Sequence, residues 1–388
     1  MEDKKQISEQ KKQTDKKRGI HVLRLVVPML VILGGIGIIQ FLRLRSYAGY
    51  EVISETALNY DVSGYAAGDE ILFAYGHDGA KGIRPDGNVA WEMSYQLDNP
   101  ELVWCKDVAS VADIGGKSVY VVAENGIPYN YNVVYPIVKH AVARQGVTAV
   151  LLDNGTEDYI QLYDINGALR VDINTKTKTD GIPVDIALSE DGKKLVTLYI
   201  TFQAESMICK VTFYNADEVG KNYINNIVGQ KSYEENRLVY EIGFLNESVL
   251  YVLLEDGFAL YRMTEVPELI CEKQLPDEIV DVACVEKGIY IITESTEKGR
   301  VLTFYDETGE EKKSLKEVPE YEVMQASSEE IVFFSPHSMT VYRANGTVKF
   351  QDVFHQSIDA VFVAGKNRYF LLNAGGVQTI KLTGKKEN

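Results

Sequence analysis

The chain has 388 residues, 45% of them hydrophobic, which is enough to bury the core of one large domain or of two to three ordinary ones. The net charge of −16 is divided unevenly: residues 1–45 carry +6 (ten Lys and Arg, four Asp and Glu), and the remainder carries −22 (30 and 52). Because an acidic body repels nucleic acid, we expect no DNA or RNA partner. The same charge favours solubility and could attract cations or basic partners.

The first predicted element is a membrane-spanning helix. The uncharged run LVVPMLVILGGIGII extends from Leu25 to Ile39, and with its flanks it reaches about eighteen residues, near the minimum for about 30 Å of hydrocarbon. Seven Lys and Arg precede the run in the N-terminal tail, whereas only Arg43 and Arg45 follow it closely. This bias predicts a cytoplasmic N-terminus and a body on the outer side of the membrane.

We therefore expect three regions: a basic cytoplasmic tail over 1–19, a transmembrane helix over 20–43 and an extracytoplasmic domain over 44–388. The predicted location is the cell membrane, with a single pass. A cleavable signal peptide is the alternative, since Ser46-Tyr47-Ala48 loosely resembles a small-x-small cleavage site.

Between Tyr50 and Leu382 a unit of about forty residues recurs about eight times. Each unit contains four short runs of alternating apolar residues separated by Gly-, Asn- or Asp-containing turns, as in IVDVACVEKG, IYIITESTEKG, RVLTFYDETG and EEKKSLKEV. Rings of such four-stranded units are β-propellers. The sequence predicts an all-β, eight-bladed β-propeller preceded by one N-terminal transmembrane α-helix; seven blades remain possible if two weak units share strands.

The predicted first strands begin near positions 60, 101, 137, 182, 237, 279, 320 and 357. About fifteen extra residues around 217–234 should form a loop or a short helix in the fourth unit. The last unit has only three strands before the chain ends, and an unpaired sheet edge is unfavourable. We expect the segment from Tyr50 to Thr56 to supply its missing outer strand.

One stretch carries a family resemblance. Residues 185–195 read DIALSEDGKKL, which looks like the S-P-D-G-K-K-L turn of bacterial propellers of the quinoprotein, WD-repeat and TolB types. The whole layout resembles a group of uncharacterised bacterial envelope proteins, each with one membrane span followed by a propeller. No Trp-Asp pair ends a strand, and with only Trp91 and Trp104 the quinoprotein docking motifs are missing. The resemblance implies a fold and no activity.

No motif for catalysis stands out. No Gly-rich loop precedes a helix and no G-x-S-x-G elbow is present, and the four cysteines form no C-x-x-C pair. We predict no catalytic residue, no metal site and no cofactor. Cys271 and Cys284 are the nearest pair for a disulfide, although buried free thiols are favoured. His77 and His337 fall in corresponding turns and could approach each other across the ring, although two solvated turn histidines are favoured.

Acidic residues concentrate in the turns that join second to third strands, which should all emerge on one face. They are Asp78, Asp113, Asp153, Glu157, Asp158, Glu205, Glu255, Asp256, Glu294 and Glu297. Asp78, Asp113, Asp158, Glu205, Asp256 and Glu294 are the candidate binding residues of this face. A basic partner or a cell-wall component would suit it, although turns are commonly polar without binding anything.

The function expected from these features is that of a non-catalytic interaction or scaffold module of the cell envelope, with an unidentified envelope protein or cell-wall component as partner. The first alternative is an enzyme that acts on envelope glycans or peptides with carboxylates in the central channel. For that activity Asp185, Asp281 and Asp359 occupy matching first-strand positions. The second alternative is a solute-binding sensor.

Overall fold

The structure, a computed structural model, describes residues 45–58, 61–68, 71–123, 125–203, 206–233 and 237–384. These residues form eight antiparallel four-stranded sheets. Each sheet is one blade of a β-propeller, so the predicted all-β, eight-bladed fold is confirmed and the seven-bladed alternative is wrong. The predicted tail 1–19 and helix 20–43 lie outside the described residues. Within the described ranges, no helix is both long and apolar enough to cross a membrane.

The strands follow one another blade by blade, after a closing strand β1 (Gly49–Thr56). Blades 1 and 2 contain β2 (Gly64–Ala67), β3 (Leu72–Tyr75), β4 (Gly79–Ile83), β5 (Val89–Ser94), β6 (Pro100–Cys105), β7 (Val108–Asp113), β8 (Ser118–Val122) and β9 (Pro128–Asn132). Blades 3 and 4 contain β10 (Ile137–Val142), β11 (Thr148–Asp153), β12 (Asp158–Tyr163), β13 (Leu169–Thr175), β14 (Ile182–Leu188), β15 (Lys194–Gln203), β16 (Ser206–Asn215) and β17 (Ile227–Ser232).

The second half of the ring has the same plan. Blades 5 and 6 contain β18 (Val239–Phe244), β19 (Val249–Leu254), β20 (Gly257–Met263), β21 (Pro267–Gln274), β22 (Glu278–Val285), β23 (Gly288–Ser295), β24 (Gly299–Asp306) and β25 (Glu311–Leu315). Blades 7 and 8 contain β26 (Val323–Ala326), β27 (Glu330–Ser335), β28 (Ser338–Arg343), β29 (Val348–Val353), β30 (Ala360–Val363), β31 (Arg368–Asn373) and β32 (Gly376–Thr383). The predicted first strands begin within four residues of the observed ones.

The closing strand completes blade 8. β1 pairs antiparallel with β32, from Gly49 opposite Thr383 to Thr56 opposite Val377. The ring of Tyr50 stacks on Phe354 of blade 7 with centroids 5.1 Å apart. The predicted pairing of the first strand segment with the last blade is therefore confirmed, and it leaves no open edge on β32.

Blade 4 departs from the expected loop. Two 3₁₀ turns, Gly220–Asn222 and Ile224–Asn226, follow β16, but the next residues form the outer strand β17. Part of the expected insertion is thus an ordinary strand. The extra length of this blade also lies in β15 and β16, which have ten residues each. A short helix α1, Thr177–Asp180, links blades 3 and 4.

The strands of each blade are called A to D from the centre outward. Because neighbouring strands are antiparallel, the A–B and C–D turns lie at one end of the ring, here named the A–B face. The B–C turns and the connections between blades lie at the other end, the B–C face. β1 begins at Gly49 opposite the end of β32, so the chain enters the propeller on the A–B face.

Apolar side chains fill layers between neighbouring blades. Between blades 4 and 5, Val211 and Phe213 meet Leu250 and Val252, all at most 1% exposed. The layer between blades 8 and 1 joins Phe370 and the second strand of blade 1 in the same way. The inner strands such as β19, with the sequence VLYVLL, are apolar and buried at every position, because a neighbouring blade covers each of their two faces.

Candidate functional site

A cavity of about 1060 Å³ lies on the axis of the ring. Its wall is built from the second halves of the A strands and from the A–B turns, and all eight blades contribute. Turn residues such as Lys106, Glu190 and Lys366 belong to the wall, so the cavity reaches the A–B face. Its size is that of a pocket for a small molecule or for a few side chains of a partner.

Four A strands share one irregularity that places charged residues near the axis. In β10, β14, β18 and β22 the register with the B strand shifts by one residue, which is a β-bulge. The residues immediately after the four bulges are charged: Lys139, Asp185, Glu241 and Asp281. Bulges commonly re-aim a side chain, and here they repeat at one level on four consecutive blades.

Lys139 and Asp185 lie on the cavity wall, together with Glu101 and His140. Lys139 Nζ is 3.7 Å from Glu101 Oε1. Burial raises the pKa of Asp185 to about 6, although the nearby ammonium of Lys139 acts to lower it. The carboxyl of Asp185 is therefore protonated in a large fraction of molecules at mildly acidic pH, which an exposed aspartate is not.

His140 is 3% exposed, and its ring spans the gap between two blades. Nε2 lies 3.2 Å from the carbonyl oxygen of Ser110, so Nε2 carries the proton and donates it. Burial lowers the pKa of His140 to about 4, and the imidazole is neutral at pH 7. Nδ1 is then an acceptor, and it is fully buried without a hydrogen-bond partner among the described residues. It lies 4.0 Å from Glu101 Oε1.

The opposite part of the wall is occupied by tyrosine and cysteine. Tyr251 donates a hydrogen bond of 2.5 Å to Glu241 Oε1 and lines the cavity beside Cys284. Its ring crosses Gly243, where a Cβ would stand 2.3 Å from the hydroxyl oxygen, so only glycine fits there. Burial raises the pKa of the Cys284 thiol, which disfavours the nucleophilic thiolate form.

The structure separates the three aspartates predicted for the channel. Asp185 is on the cavity wall. Asp281 follows a bulge, as Asp185 does. However, the hydroxyl of Tyr321 in blade 7 donates a 3.0 Å hydrogen bond to Asp281 Oδ2, so this carboxylate links blades 6 and 7. Asp359 is exposed and precedes β30. Of the three, the described cavity wall contains only Asp185.

The acidic turn residues lie at the B–C face, the end of the ring opposite the cavity mouth. Two of them are paired with arginines of the same face: Asp256 Oδ1 is 3.0 Å from Arg237, and Glu294 Oε2 is 3.2 Å from Arg300. Asp113 accepts a 2.8 Å hydrogen bond from the backbone N–H of Asn99.

The other acidic candidates differ in their surroundings. Asp78 is exposed in its B–C turn. Burial and the neighbouring Asp153 raise the pKa of Asp158. Glu205 lies outside the described residues. The B–C face thus mixes paired and exposed acids, and its charge is lower than the sequence alone suggests.

His77 and His337 each bind their own blade. His77 Nδ1 is 3.0 Å from the carbonyl oxygen of Leu97, whose backbone N–H donates to the His77 carbonyl. His337 and Phe354 make the same pair of contacts in blade 7, at 3.3 and 2.8 Å. Each histidine therefore connects a B–C turn to the residues that follow the D strand of the same blade.

The four cysteines are free thiols, so the structure has no bond between Cys271 and Cys284. Within the described part of the chain, no three His, Cys, Asp or Glu side chains converge as they would around a metal ion.

Sequence reasoning missed Glu101, Lys139, His140 and Glu241. A signal for the bulges was present, because an apolar residue, one intervening residue and a charge recur as I-V-K, P-V-D, V-Y-E and I-V-D at the starts of four A strands. His140 had no such signal, since its neighbours in space come from the blade before it.

Comparison with known proteins identifies the family. Residues 43–382 match the family described as "Family of unknown function (DUF5711)". The chain belongs to this family. No curated protein matches the DUF5711 chain.

Solved structures show the same fold at low identity. The computationally designed Ika8 protein is 13% identical with a TM-score of 0.54, covering 86% of this chain and 100% of its own. A eukaryotic initiation factor is 11% identical with a TM-score of 0.54 (85% and 87% covered). Apo AztD from Citrobacter koseri is 14% identical with a TM-score of 0.51 (76% and 86% covered). These similarities establish the propeller fold of this DUF5711 protein and carry no activity to it.

Proposed function

We propose that this propeller is a non-catalytic interaction module of the bacterial cell envelope, anchored by a single span over 20–43 with the propeller outside the cell. The observation that carries the proposal is the axial cavity, which is large, reaches the A–B face and has a mixed polar and aromatic wall. The partner is an envelope protein or a cell-wall component that places a chemical group in this cavity.

The wall of the cavity has the composition of a binding site. Trp104 lies on it with 48% of its surface exposed, although tryptophan is highly buried on average in folded proteins. Charged groups of both signs lie near this ring on the same wall, which suits specific recognition more than nonspecific adhesion. The membrane anchor itself is supported by the uncharged run and by the Lys and Arg bias that precedes it.

The B–C face is the second candidate surface. Exposed Asp78 supports it, whereas the pairing of Asp256 and Glu294 with arginines weakens its attraction for a basic partner. The two surfaces lie at opposite ends of the ring, so substitutions can test them independently.

The test is quantitative capture of partners from intact membranes by the full-length chain. Trp104→Ala alters the cavity wall, and the double variant Asp256→Lys with Glu294→Lys alters the B–C face. We expect Trp104→Ala to remove the specifically captured partner and the double variant to retain it. The opposite result would move the binding surface to the B–C face, and equal capture by all three proteins at low salt would refute an interaction role for either surface.

A second candidate function is hydrolysis of envelope glycans or peptides. It is favoured by one observation, the raised pKa of Asp185 on the cavity wall, because a carboxyl that retains its proton near neutral pH can serve as a general acid. Incubation of the chain with cell-wall fragments tests this activity. Products that form with the wild type and not with Asp185→Asn would establish the enzyme, and no products from either protein would reject it.

A further inference from the structure

Two hydrogen-bond acceptors lie close together at the cavity wall, and one of them, Nδ1 of His140, has no hydrogen-bond partner among the described residues. Nδ1 of His140 is an acceptor because Nε2 donates its proton to the Ser110 carbonyl. Glu101 Oε1, also an acceptor, is 4.0 Å away, which is too far for a direct hydrogen bond. A single donor nitrogen placed between them reaches both at about 2.8 Å, the length of a charge-assisted hydrogen bond.

The surroundings favour a positively charged donor. The wall of the cavity carries six carboxylates and three lysines among the described residues. Two of the carboxylates, Glu190 and Glu330, are also paired with cations off the wall, Arg144 and Lys349, so the wall keeps a small net negative charge. Lys139 approaches the same Glu101 oxygen only to 3.7 Å, and its side chain is 42% exposed. It partly compensates the charge of Glu101 but makes no hydrogen bond of ordinary length with it. An anion would meet a net negative wall, and a metal ion would lack a third ligand among the described side chains.

We propose that the cavity binds a primary ammonium group between His140 Nδ1 and Glu101. This inference rests on the proposed function and names the chemistry that the cavity recognises. A primary ammonium has three N–H donors and no acceptor, so it can satisfy both acceptors and keep one donor for a further group of the wall. The rest of the ligand extends through the cavity toward the A–B face.

Lys139 determines how the ligand enters. Nδ1 of His140 is fully buried, whereas the Glu101 side chain that lies beside it is 36% exposed. The incoming ammonium reaches Nδ1 when Glu101 turns toward the cavity, and it takes over the role of the Lys139 ammonium beside the carboxylate. Binding of the ligand and pairing of Lys139 with Glu101 therefore compete.

The same ammonium can come from a free amine or from a lysine of a partner protein. Titration calorimetry on the full-length chain in detergent distinguishes them, with 1,5-diaminopentane as the free amine and Nα-acetyl-lysine methylamide as the peptide lysine. Nα,Nε-diacetyl-lysine methylamide, which lacks the charge, and tetramethylammonium, which lacks N–H donors, are the control probes.

We expect at least one of the two amines to bind and both control probes to bind at least tenfold more weakly. Glu101→Gln should weaken amine binding about tenfold or more, and Lys139→Met should strengthen it because the competing cation is gone. Glu92→Gln is the matched control, since Glu92 is paired with Lys81 on an outer strand away from the cavity. His140→Phe removes the second acceptor, and its thermal unfolding shows whether the variant is folded.

Equal affinity for the amines and for diacetyl-lysine methylamide would overturn the proposal, as would wild-type affinity in Glu101→Gln. No binding of either amine to the wild type and to Lys139→Met would overturn it as well. The outcome is separable from the test of the proposed function. Amine binding together with unchanged partner capture by Trp104→Ala would retain the ammonium site and reject the interaction role of the cavity wall.

Discussion

The layers between neighbouring blades and the wall of the central cavity belong to the same eight blades, yet they differ in composition. The layers hold Val, Leu, Phe and Tyr side chains that are almost fully buried, as between blades 4 and 5. The wall holds Asp185 with a raised pKa, Trp104 with half of its surface exposed, and His140, whose Nδ1 has no hydrogen-bond partner among the described residues. The layers are arranged for stability, and the wall retains polar groups that folding alone does not need.

The two tryptophans of the chain give the largest test of this difference. Trp91 is 6% exposed in the layer between blades 1 and 2, where its ring lies 6.0 Å from that of Phe73. Trp91→Ala should cost about 3–5 kcal/mol of the free energy of unfolding, because it leaves a cavity in a packed layer. Trp104→Ala should cost less than about 1 kcal/mol. Denaturant unfolding of both variants is the measurement; similar losses would mean that Trp104 is part of the core.

The joint between blades 7 and 8 differs from the apolar layers, because it buries a charge. Lys349 forms an ion pair with Glu330 and a 3.0 Å hydrogen bond to the hydroxyl of Tyr369, and its side chain is 4% exposed. Lys349→Met should cost about 3 kcal/mol, since Glu330 is left buried without its cation.

The matched substitution for that joint is Lys298→Met on the B–C face. Lys298 pairs with Asp277 at 2.9 Å, but its side chain is 58% exposed. We expect no measurable change in Tm for this variant, because exposed ion pairs contribute little. A stable Lys349→Met variant would show that methionine packing compensates for the lost pair.

The remaining effect concerns pH, where two groups of the cavity wall act in opposite directions. The pKa of His140 is lowered to about 4, so its contribution to stability is complete above pH 6.5 and is lost as the pH falls toward 4. The pKa of Asp185 is raised to about 6, so its carboxylate destabilises the fold progressively as the pH rises from 4 to 6. The two contributions to the pH dependence of the free energy of unfolding partly cancel in the wild type.

Asp185→Asn should remove the contribution of Asp185 to this pH dependence and leave that of His140. At pH 7 the variant should be about 3 kcal/mol more stable than the wild type, and its stability should fall more steeply between pH 6 and pH 4. Urea unfolding at several pH values checks this, with Asp359→Asn, an exposed carboxylate, as the control that keeps the wild-type slope. An unchanged slope in Asp185→Asn would mean that Asp185 is better solvated than its position indicates.

The fold could be predicted because the sequence of each blade contains local strand and turn signals. Alternating apolar runs and turn residues placed the A strands within four residues of their observed starts, and the missing strand of the last unit pointed to β1. The candidate site could not be predicted in the same way. Asp185 and Asp281 occupy the same position after a bulge, yet only Asp281 accepts a hydrogen bond from Tyr321 of the next blade. Such differences depend on side chains from neighbouring blades, which periodicity does not reveal.

The pairing of β1 with β32 has a consequence for synthesis of the protein on the ribosome. Thr56 is made long before its partner Val377, and translation at about 5–20 residues per second separates the two by roughly 15–60 s. During that interval β1 is a strand without a partner, and strands of other nascent chains can compete for its backbone groups. Slow elongation or crowded polysomes should therefore favour exchange of β1 between molecules over closure within one.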